Sequence, residues 1–211
     1  MEAFTVVRGP AAPLMLPDIN TDILYPGRRS GNRLPAGKGD LAPDAFGPLR
    51  YLPDGSENPS FVLNQDRFRG APILLTAQNF GCGSSREHAV WALRALGIRC
   101  VIAISFGDIF FGNCFQNGML PIVLGDEVLH SLAEEAASGQ PLEVNLQSLV
   151  LTSPRGNPIS FAVNPTRRLQ LLEGLDDLDL GLRRRDQIKA FQQADRRKRP
   201  WVYEIPGLAR S

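Results

Sequence analysis

From residue 71 onward, short apolar runs alternate with stretches in which apolar residues recur at helical spacing. The apolar runs have the length and β-branched content of buried strands. The predicted strands are 71–76, 98–104 and 120–124. The predicted helices are 86–96, 107–117 and 126–138. This alternation predicts right-handed crossovers and a mainly parallel sheet.

The two ends of the chain add shorter predicted elements. Residues 3–7 predict a first strand, and alternating apolar positions after residue 140 predict antiparallel strands. The later elements are strands at 144–146, 149–151 and 159–163 and a helix at 165–173, which begins with a proline. We therefore expect an α/β fold whose mainly parallel central sheet carries helices on its faces, plus additional antiparallel strands. A parallel sheet of this kind holds its binding crevice at the carboxyl ends of the strands.

One polar stretch falls at such a carboxyl end, namely Asn79-Phe80-Gly81-Cys82-Gly83-Ser84-Ser85-Arg86-Glu87-His88. Its two glycines allow a tight turn and the close approach of a ligand. Its two serines and its arginine fall where the free N–H groups of a helix start favour negative charge. The pattern suits a small carboxylate or phosphate, although it is one glycine short of the dinucleotide fingerprint. Ser84-x-x-Glu87 also matches a capping box, so a plain helix cap is the alternative.

Two segments near the N-terminus are candidates for the surroundings of this turn. Asp18-Ile19-Asn20-Thr21-Asp22 is either a turn between strands or a polar loop that faces the site. The loop 27–47 has little periodicity, and loops of this length are usually binding loops, lids or disordered segments. Because its composition offers little apolar surface to bury, we expect the loop to be mobile in the isolated chain.

The composition is that of an ordinary globular protein. A chain of 211 residues with 43% hydrophobic content fits one large domain, or a domain with an appendage. The formal net charge of +1 indicates no field that would recruit nucleic acid or an anionic membrane. No apolar run approaches the ~18 residues of a membrane span, and the first residues lack the pattern of a signal peptide. We therefore expect a cytoplasmic protein with no nucleic-acid or membrane partner.

The C-terminal region is basic from Arg183 to Arg199. At this overall charge, such a stretch is typical of a solvated helix face. A contact with an acidic surface or a nucleic acid is the alternative, and truncation of the tail would test it.

Three cysteines, Cys82, Cys100 and Cys114, are too few and too widely spaced for a metal or cluster cage made by this chain alone. We therefore predict no metal site in this chain. Cys100 falls in a predicted strand and Cys114 in a predicted helix, so both are expected to be buried, inert thiols. Cys82 lies in the glycine turn, where a nucleophilic pair with His88 is the less favoured alternative.

The polar stretch at residues 79–88, extended by Ala89, resembles the signature of the aconitase-type swivelling domain. Within that family it is most similar to the small subunits of bacterial 3-isopropylmalate dehydratases. Asn20-Thr21-Asp22 followed by Pro26 supports the resemblance. Downstream, the supporting pattern is Ser105-Phe106-x-x-Ile109-x-x-x-Asn113-x-x-x-Asn117 followed by Leu120-Pro121. The likeness implies a swivelling β/β/α domain over residues 1–190, with a substrate loop at 27–47, and leaves 191–211 as a basic tail.

The resemblance also implies an activity. Members of the family are hydro-lyases that move a hydroxyl between neighbouring carbons of a malate derivative by dehydration and rehydration, here 2-isopropylmalate to 3-isopropylmalate in leucine biosynthesis. A 4Fe-4S cluster held by a separate large subunit acts on the hydroxyl, so the implied partner is that large subunit and this chain carries no cofactor. Citraconate, dimethylmalate, homoaconitate and other alkylmalates remain open as substrates. A noncatalytic anion- or nucleotide-binding module is the alternative from another class.

The resemblance assigns roles to individual residues. Ser84 matches the catalytic base and Arg86 the ligand of the substrate carboxylate, while Ser85 and Gly83 would supply nearby hydrogen bonds. Helix N-terminal amides and an arginine are the groups that would stabilise a serine alkoxide in a site closed to water. Arg33 is nearest in register to the family's loop arginine, with Arg28 and Arg29 as rivals. Supporting roles fall to the following residues: Asn20, Thr21, Asp22, Cys82 and His88.

Overall fold

The computed structural model describes residues 1–26, 41–83 and 87–203 of the chain. By their internal contacts, the residues form two compact units, Met1–Gly174 and Leu175–Ser211. The first unit contains a seven-stranded sheet in the order β4-β3-β2-β1-β5-β6-β7. The strands are β1 (Val6–Leu14), β2 (Ile73–Thr76), β3 (Cys100–Ala103), β4 (Leu120–Val123), β5 (Pro141–Asn145), β6 (Val150–Thr152) and β7 (Pro158–Ser160).

The sheet is parallel on one side of β1 and antiparallel on the other. The predicted parallel strands correspond to β2, β3 and β4, and the predicted antiparallel strands to β5, β6 and β7. All of them belong to the same sheet, because β5 pairs with β1. The predicted α/β fold with a parallel core and added antiparallel strands is confirmed.

The first strand is longer than the sequence pattern predicts, since it runs to Leu14 rather than ending at residue 7. Its first half pairs with β5 as far as Pro10, and its second half pairs with β2 from Ala11 onward. Pro10 therefore stands where the chain changes partners, and its missing N–H removes little from either ladder. A proline at this position is therefore compatible with a continuous strand whose two halves pair on opposite sides.

Helices cover both faces of the sheet. In β2, Leu74 faces one hydrophobic core, and Ile73 and Leu75 face the other. The first unit contains α1 (Thr21–Leu24), α2 (Gly47–Arg50), α3 (His88–Ala95), α4 (Asp108–Gln116), α5 (Asp126–Ala136) and α6 (Pro165–Glu173). The Leu74 side packs against α1, α3 and one face of α4, and the opposite side packs against α5, α6 and the other face of α4. None of the described helices has the length and apolar character needed to cross a membrane.

Part of the predicted loop 27–47 lies in the described region. Leu41, Ala45 and Phe46 are fully buried, so residues 41–47 bury more apolar surface than their composition suggested. Two short 3₁₀ helices follow, at Val62–Asn64 and Asp66–Phe68. The remainder of the loop, and with it the predicted mobility, falls outside the described residues.

The second unit consists of α7 (Asp177–Leu182), α8 (Arg185–Lys198) and a 3₁₀ helix, Pro200–Val202. Most of α8 is exposed, as expected for a solvated helix face. Asp195 is its buried residue, and its carboxylate accepts hydrogen bonds from Arg199 Nε (2.8 Å) and the Tyr203 hydroxyl (3.0 Å). The family-based division into residues 1–190 and 191–211 remains a prediction, and it places the boundary inside α8.

Candidate functional site

Three chain segments meet where β1, β2 and β3 end. The segment after β2 is the turn that carries the glycines, and it lies between the segments that follow β1 and β3. Single bridges extend the parallel pairing past the strands, from Asn20 to Cys82 and from Phe80 to Phe106. These three segments lie at the carboxyl ends of the parallel strands, where the binding crevice is predicted.

Backbone hydrogen bonds fix the turn against the segment after β1. The Gly81 N–H donates to the Ile19 carbonyl over 2.7 Å, and the Thr21 N–H donates to the Cys82 carbonyl over 2.8 Å. A Cβ atom on Gly83 would lie 3.6 Å from Cβ of Asn20, so the turn and this segment are in direct contact. The structure thus brings the predicted residues Asn20, Thr21, Cys82 and Gly83 together.

The segment after β3 holds the turn from the other side. The Phe80 N–H donates to the Ser105 carbonyl (3.1 Å), and the Gly107 N–H donates to the Phe80 carbonyl (2.9 Å). A Cβ atom on Gly107 would lie 2.9 Å from the Gly81 carbonyl oxygen, so only glycine allows this approach. The Ser105-Phe106 pattern, which supported the resemblance, is therefore part of the site.

The backbone of the turn adopts conformations that favour glycine. Gly81 has a φ of +74° and Gly83 a φ of +102°. Two other residues also have positive φ, Asp18 at 55° and Asn79 at 58°, and their side chains form an Asn79 Nδ2 to Asp18 Oδ1 hydrogen bond of 2.7 Å. Strained residues of this kind cluster at functional sites. Both residues belong to the two polar segments of the sequence, but no local pattern indicates that they pair.

The polar turn near the N-terminus is also a helix start. The Asn20 side-chain oxygen accepts hydrogen bonds from the backbone N–H groups of Asp22 (3.0 Å) and Ile23 (2.9 Å) and so caps α1. The segment is therefore a helix start that also contacts the glycine turn, and its role as a polar loop facing the site stays a prediction. Asp22 itself is exposed.

His88 is the first residue of α3, and its ring packs between two aromatic side chains. It stacks on Tyr25 with ring centroids 5.8 Å apart and an interplanar angle of 12°, and it lies 4.8 Å from the Trp91 ring at 48°. Its Nδ1 atom is buried without a hydrogen-bond partner within the described chain. Tyr25 and Trp91 were not predicted as site residues, because nothing in the sequence places their rings on His88.

The residues predicted to carry the chemistry lie outside the described parts of the chain. These are the base Ser84, its neighbours Ser85 and Arg86, and the loop arginines Arg28, Arg29 and Arg33. Their roles stay predictions. The described residues Gly83 and Glu87 lie on either side of Ser84, Ser85 and Arg86 in the sequence.

The cysteines of this chain do not fit an iron–sulfur cluster. Cys100 and Cys114 are fully buried, as predicted, and burial raises the pKa of both thiols, that of Cys114 also through Cys100. Cys82 is a half-buried free thiol in the turn, and its proposed pairing with His88 stays a prediction. Within residues 1–26, 41–83 and 87–203, no three His, Cys, Asp or Glu side chains form a group suited to a metal ion.

Comparison with known proteins places this geometry in a family. The Aconitase C-terminal domain profile matches residues 1–127. The 3-isopropylmalate dehydratase small subunit of Paramagnetospirillum magneticum is 47% identical over 206 residues, which is 96% of this chain and 100% of the relative. The protein of the same name from Gluconacetobacter diazotrophicus is 49% identical over 207 residues, covering 97% and 99%. A crystal structure of 3-isopropylmalate dehydratase from Methanocaldococcus jannaschii, 23% identical, shares the fold with a TM-score of 0.63 over 89% of this chain and 99% of that one.

Proposed function

Because the chain belongs to the Aconitase C-terminal domain family and, within it, to the 3-isopropylmalate dehydratase small subunits, we propose that it acts with a large subunit on 2-isopropylmalate. The reaction is dehydration and rehydration to 3-isopropylmalate, a step of leucine biosynthesis carried out in the cytoplasm. The observation that supports this most directly is the glycine turn. It is held by backbone hydrogen bonds between the segments after β1 and β3, at the carboxyl ends of the parallel strands.

The chemistry of this chain falls to the segment between Gly83 and Glu87. In the proposal, the deprotonated Ser84 oxygen takes the proton from the carbon next to a substrate carboxylate as the hydroxyl leaves the neighbouring carbon, and the resulting Ser84 hydroxyl returns a proton during rehydration. Arg86 binds a carboxylate through two parallel N–H bonds, which also offsets the negative charge that develops. N–H groups at a helix start would stabilise the serine oxygen. The 4Fe-4S cluster of the large subunit would supply the Lewis acid that takes up the departing hydroxyl.

The test of the base is Ser84→Ala in the complex assembled by co-expression with the large subunit under anaerobic conditions. We expect kcat to fall by about 10²–10⁴-fold, the usual contribution of a positioned acid–base group, while the complex still forms. The readout is formation of the conjugated alkene acid from 2-isopropylmalate, followed by its ultraviolet absorbance. Near-normal turnover by this variant would remove Ser84 from the role of base.

A matched control is Ser148→Ala. Ser148 is an exposed serine in the turn between β5 and β6, and its backbone N–H, which the substitution keeps, donates to Asn145 Oδ1. It should leave kcat unchanged.

The substrate is tested with the same wild-type complex. Citraconate, dimethylmalate and homoaconitate are assayed beside 2-isopropylmalate, and the highest kcat/KM is expected for 2-isopropylmalate. A stable complex that is silent on 2-isopropylmalate but active on another acid would keep the hydro-lyase chemistry and change the substrate. Failure of the two subunits to associate would favour the noncatalytic anion-binding module.

A further inference from the structure

The segment that carries Ser84 is bounded on its N-terminal side by a contact with α1. The Thr21 N–H, at the start of α1, donates to the Cys82 carbonyl over 2.8 Å. A Cβ atom on Gly83 would lie 3.7 Å from Oγ1 of Thr21 and 3.6 Å from Cβ of Asn20. The chain therefore leaves Gly83 from a position fixed by the first turn of α1.

The C-terminal side of the same segment contacts the other end of α1. Tyr25 is the residue that closes α1, and its N–H donates to the Thr21 carbonyl over 2.8 Å. Its ring stacks on His88, the first residue of α3, and His88 in turn packs on Trp91. The start of α3 is therefore held by Tyr25, the residue that follows α1.

The helix between these two contacts is short and firmly held. Asn20 caps its start, Leu24 is fully buried, and the Leu24 carbonyl accepts a hydrogen bond from the Phe46 N–H over 3.0 Å. Tyr25 and Trp91 also pack against the buried Leu41, Ala45 and Ala92 in a small hydrophobic cluster. A one-turn helix held on all these sides offers little freedom to change the spacing between its ends.

We propose that Tyr25 and His88 are positioning residues, whose ring stacking fixes the start of α3 relative to α1 and so sets the placement of the catalytic segment between Gly83 and Glu87. This inference rests on the proposed function, in which that segment carries the base. In this proposal the stack acts through the backbone at the start of α3 and not through contact with the substrate. The unpartnered Nδ1 of His88 offers the rival explanation, a hydrogen bond from this nitrogen to a group outside the described chain.

The first experiment compares Tyr25→Leu with Tyr25→Phe in the assembled complex. Loss of the ring should lower kcat by about ten- to a hundred-fold, because small misplacements of reacting groups have effects of this size, with a smaller change in KM. The phenylalanine variant keeps the ring and should stay within about three-fold of wild type. If the phenylalanine variant is as slow as the leucine variant, the hydroxyl matters rather than the stack, and the proposal is wrong.

Two further variants distinguish loss of the ring stack from two other causes of low activity, general misfolding and a lost hydrogen bond of His88. Tyr51→Leu makes the same change at a half-buried tyrosine outside the site and should leave kcat unchanged. His88→Phe keeps a ring but removes both nitrogens, so stacking predicts that most of kcat is retained. A His88→Phe variant as slow as Tyr25→Leu would favour the hydrogen-bond explanation and overturn the proposal.

A measurement independent of activity is hydrogen exchange of the Trp91 amide, which donates to the Glu87 carbonyl over 3.1 Å in the first turn of α3. By NMR of the free chain, Tyr25→Leu should accelerate this exchange about ten-fold or more relative to Tyr25→Phe, since it removes a contact that orders this turn. Equal exchange in the two variants would overturn the positioning role. If the wild-type complex is inactive on every acid tested, the proposed function fails, and the exchange experiment still decides whether the stack orders α3.

Discussion

Two separate constraints, backbone conformation and close packing, favour glycine at position 81. Its φ of +74° lies in the left-handed region, and a Cβ atom there would lie 2.6 Å from Cδ1 of the Phe110 ring. A side chain would therefore strain the backbone and also force the turn and α4 apart. At Gly55 only the backbone constraint applies, because its φ is +88° and a Cβ atom would have nothing within 4 Å.

This contrast leads to a prediction on stability. We expect Gly81→Ala to lower the free energy of unfolding by about 2–5 kcal/mol, combining backbone strain with overpacking. Gly55→Ala should cost only about 1–2 kcal/mol, from strain alone. Urea denaturation of the two variants measures the difference. Equal losses would mean that the Phe110 ring moves aside freely and that the turn is not tightly packed on α4.

At the scale of elements, α1 and α6 begin with the same capping interaction. Asn20 Oδ1 accepts from two backbone N–H groups at the start of α1, and Asn164 Oδ1 accepts from those of Thr166 (3.0 Å) and Arg167 (3.4 Å) at the start of α6. Only α1 lies against the glycine turn. Replacing the capping asparagine by alanine in each helix therefore distinguishes the effect of a lost cap on protein stability from its effect on the site.

Asn20→Ala and Asn164→Ala should each lower the free energy of unfolding by about 1 kcal/mol, the usual cost of losing an asparagine cap. Only Asn20→Ala should also lower kcat of the complex, by about ten-fold or more, since α1 holds the turn. Thermal unfolding and the alkene assay are run on both variants. A similar kcat for the two would show that α1 contributes stability alone.

At the scale of the first unit, the N-terminal residues tie distant parts of the chain together. The Met1 amino group donates to the Gly174 carbonyl over 2.6 Å. The Glu2 carboxylate pairs with Arg99 at 2.7 Å and with Arg94 at 3.4 Å. A hydrogen bond and the charge of Arg99 lower the pKa of Glu2, with Arg94 adding to the effect.

A lowered carboxyl pKa stabilises the folded state above the ordinary value of 4.5, and this stabilisation is lost as the pH falls through the lowered pKa. Glu2→Gln should therefore be less stable than wild type at pH 7, by less than about 1 kcal/mol because the carboxylate is well exposed. The difference should disappear in acid. Urea denaturation from pH 7 to pH 3 measures it, and repetition in an Arg99→Met background should remove most of the pH dependence. A constant difference would contradict the ion-pair explanation.

Local patterns in the sequence were sufficient to identify most of the regular elements. The parallel strands, the helices that follow them and the helix that begins at Pro165 were predicted within a few residues, because each has its own hydrophobic period. The family was identified from the stretch at residues 79–89 with two supporting patterns, and it is confirmed by a profile match over residues 1–127 and a relative aligned over 96% of the chain. The burial of Cys100 and Cys114 followed from the same periods.

Tertiary structure alone decided how these pieces meet. The pairing of β1 with β5 as far as Pro10 and with β2 beyond it, the hydrogen bond between Asp18 and Asn79, and the stack of Tyr25 on His88 join residues far apart in the chain. Local periodicity indicates which side of a helix or strand is apolar, but it does not indicate which distant residues will pack against that side. Contacts of this kind depend on the register and twist of the whole sheet, so they are determined only when the strands have paired.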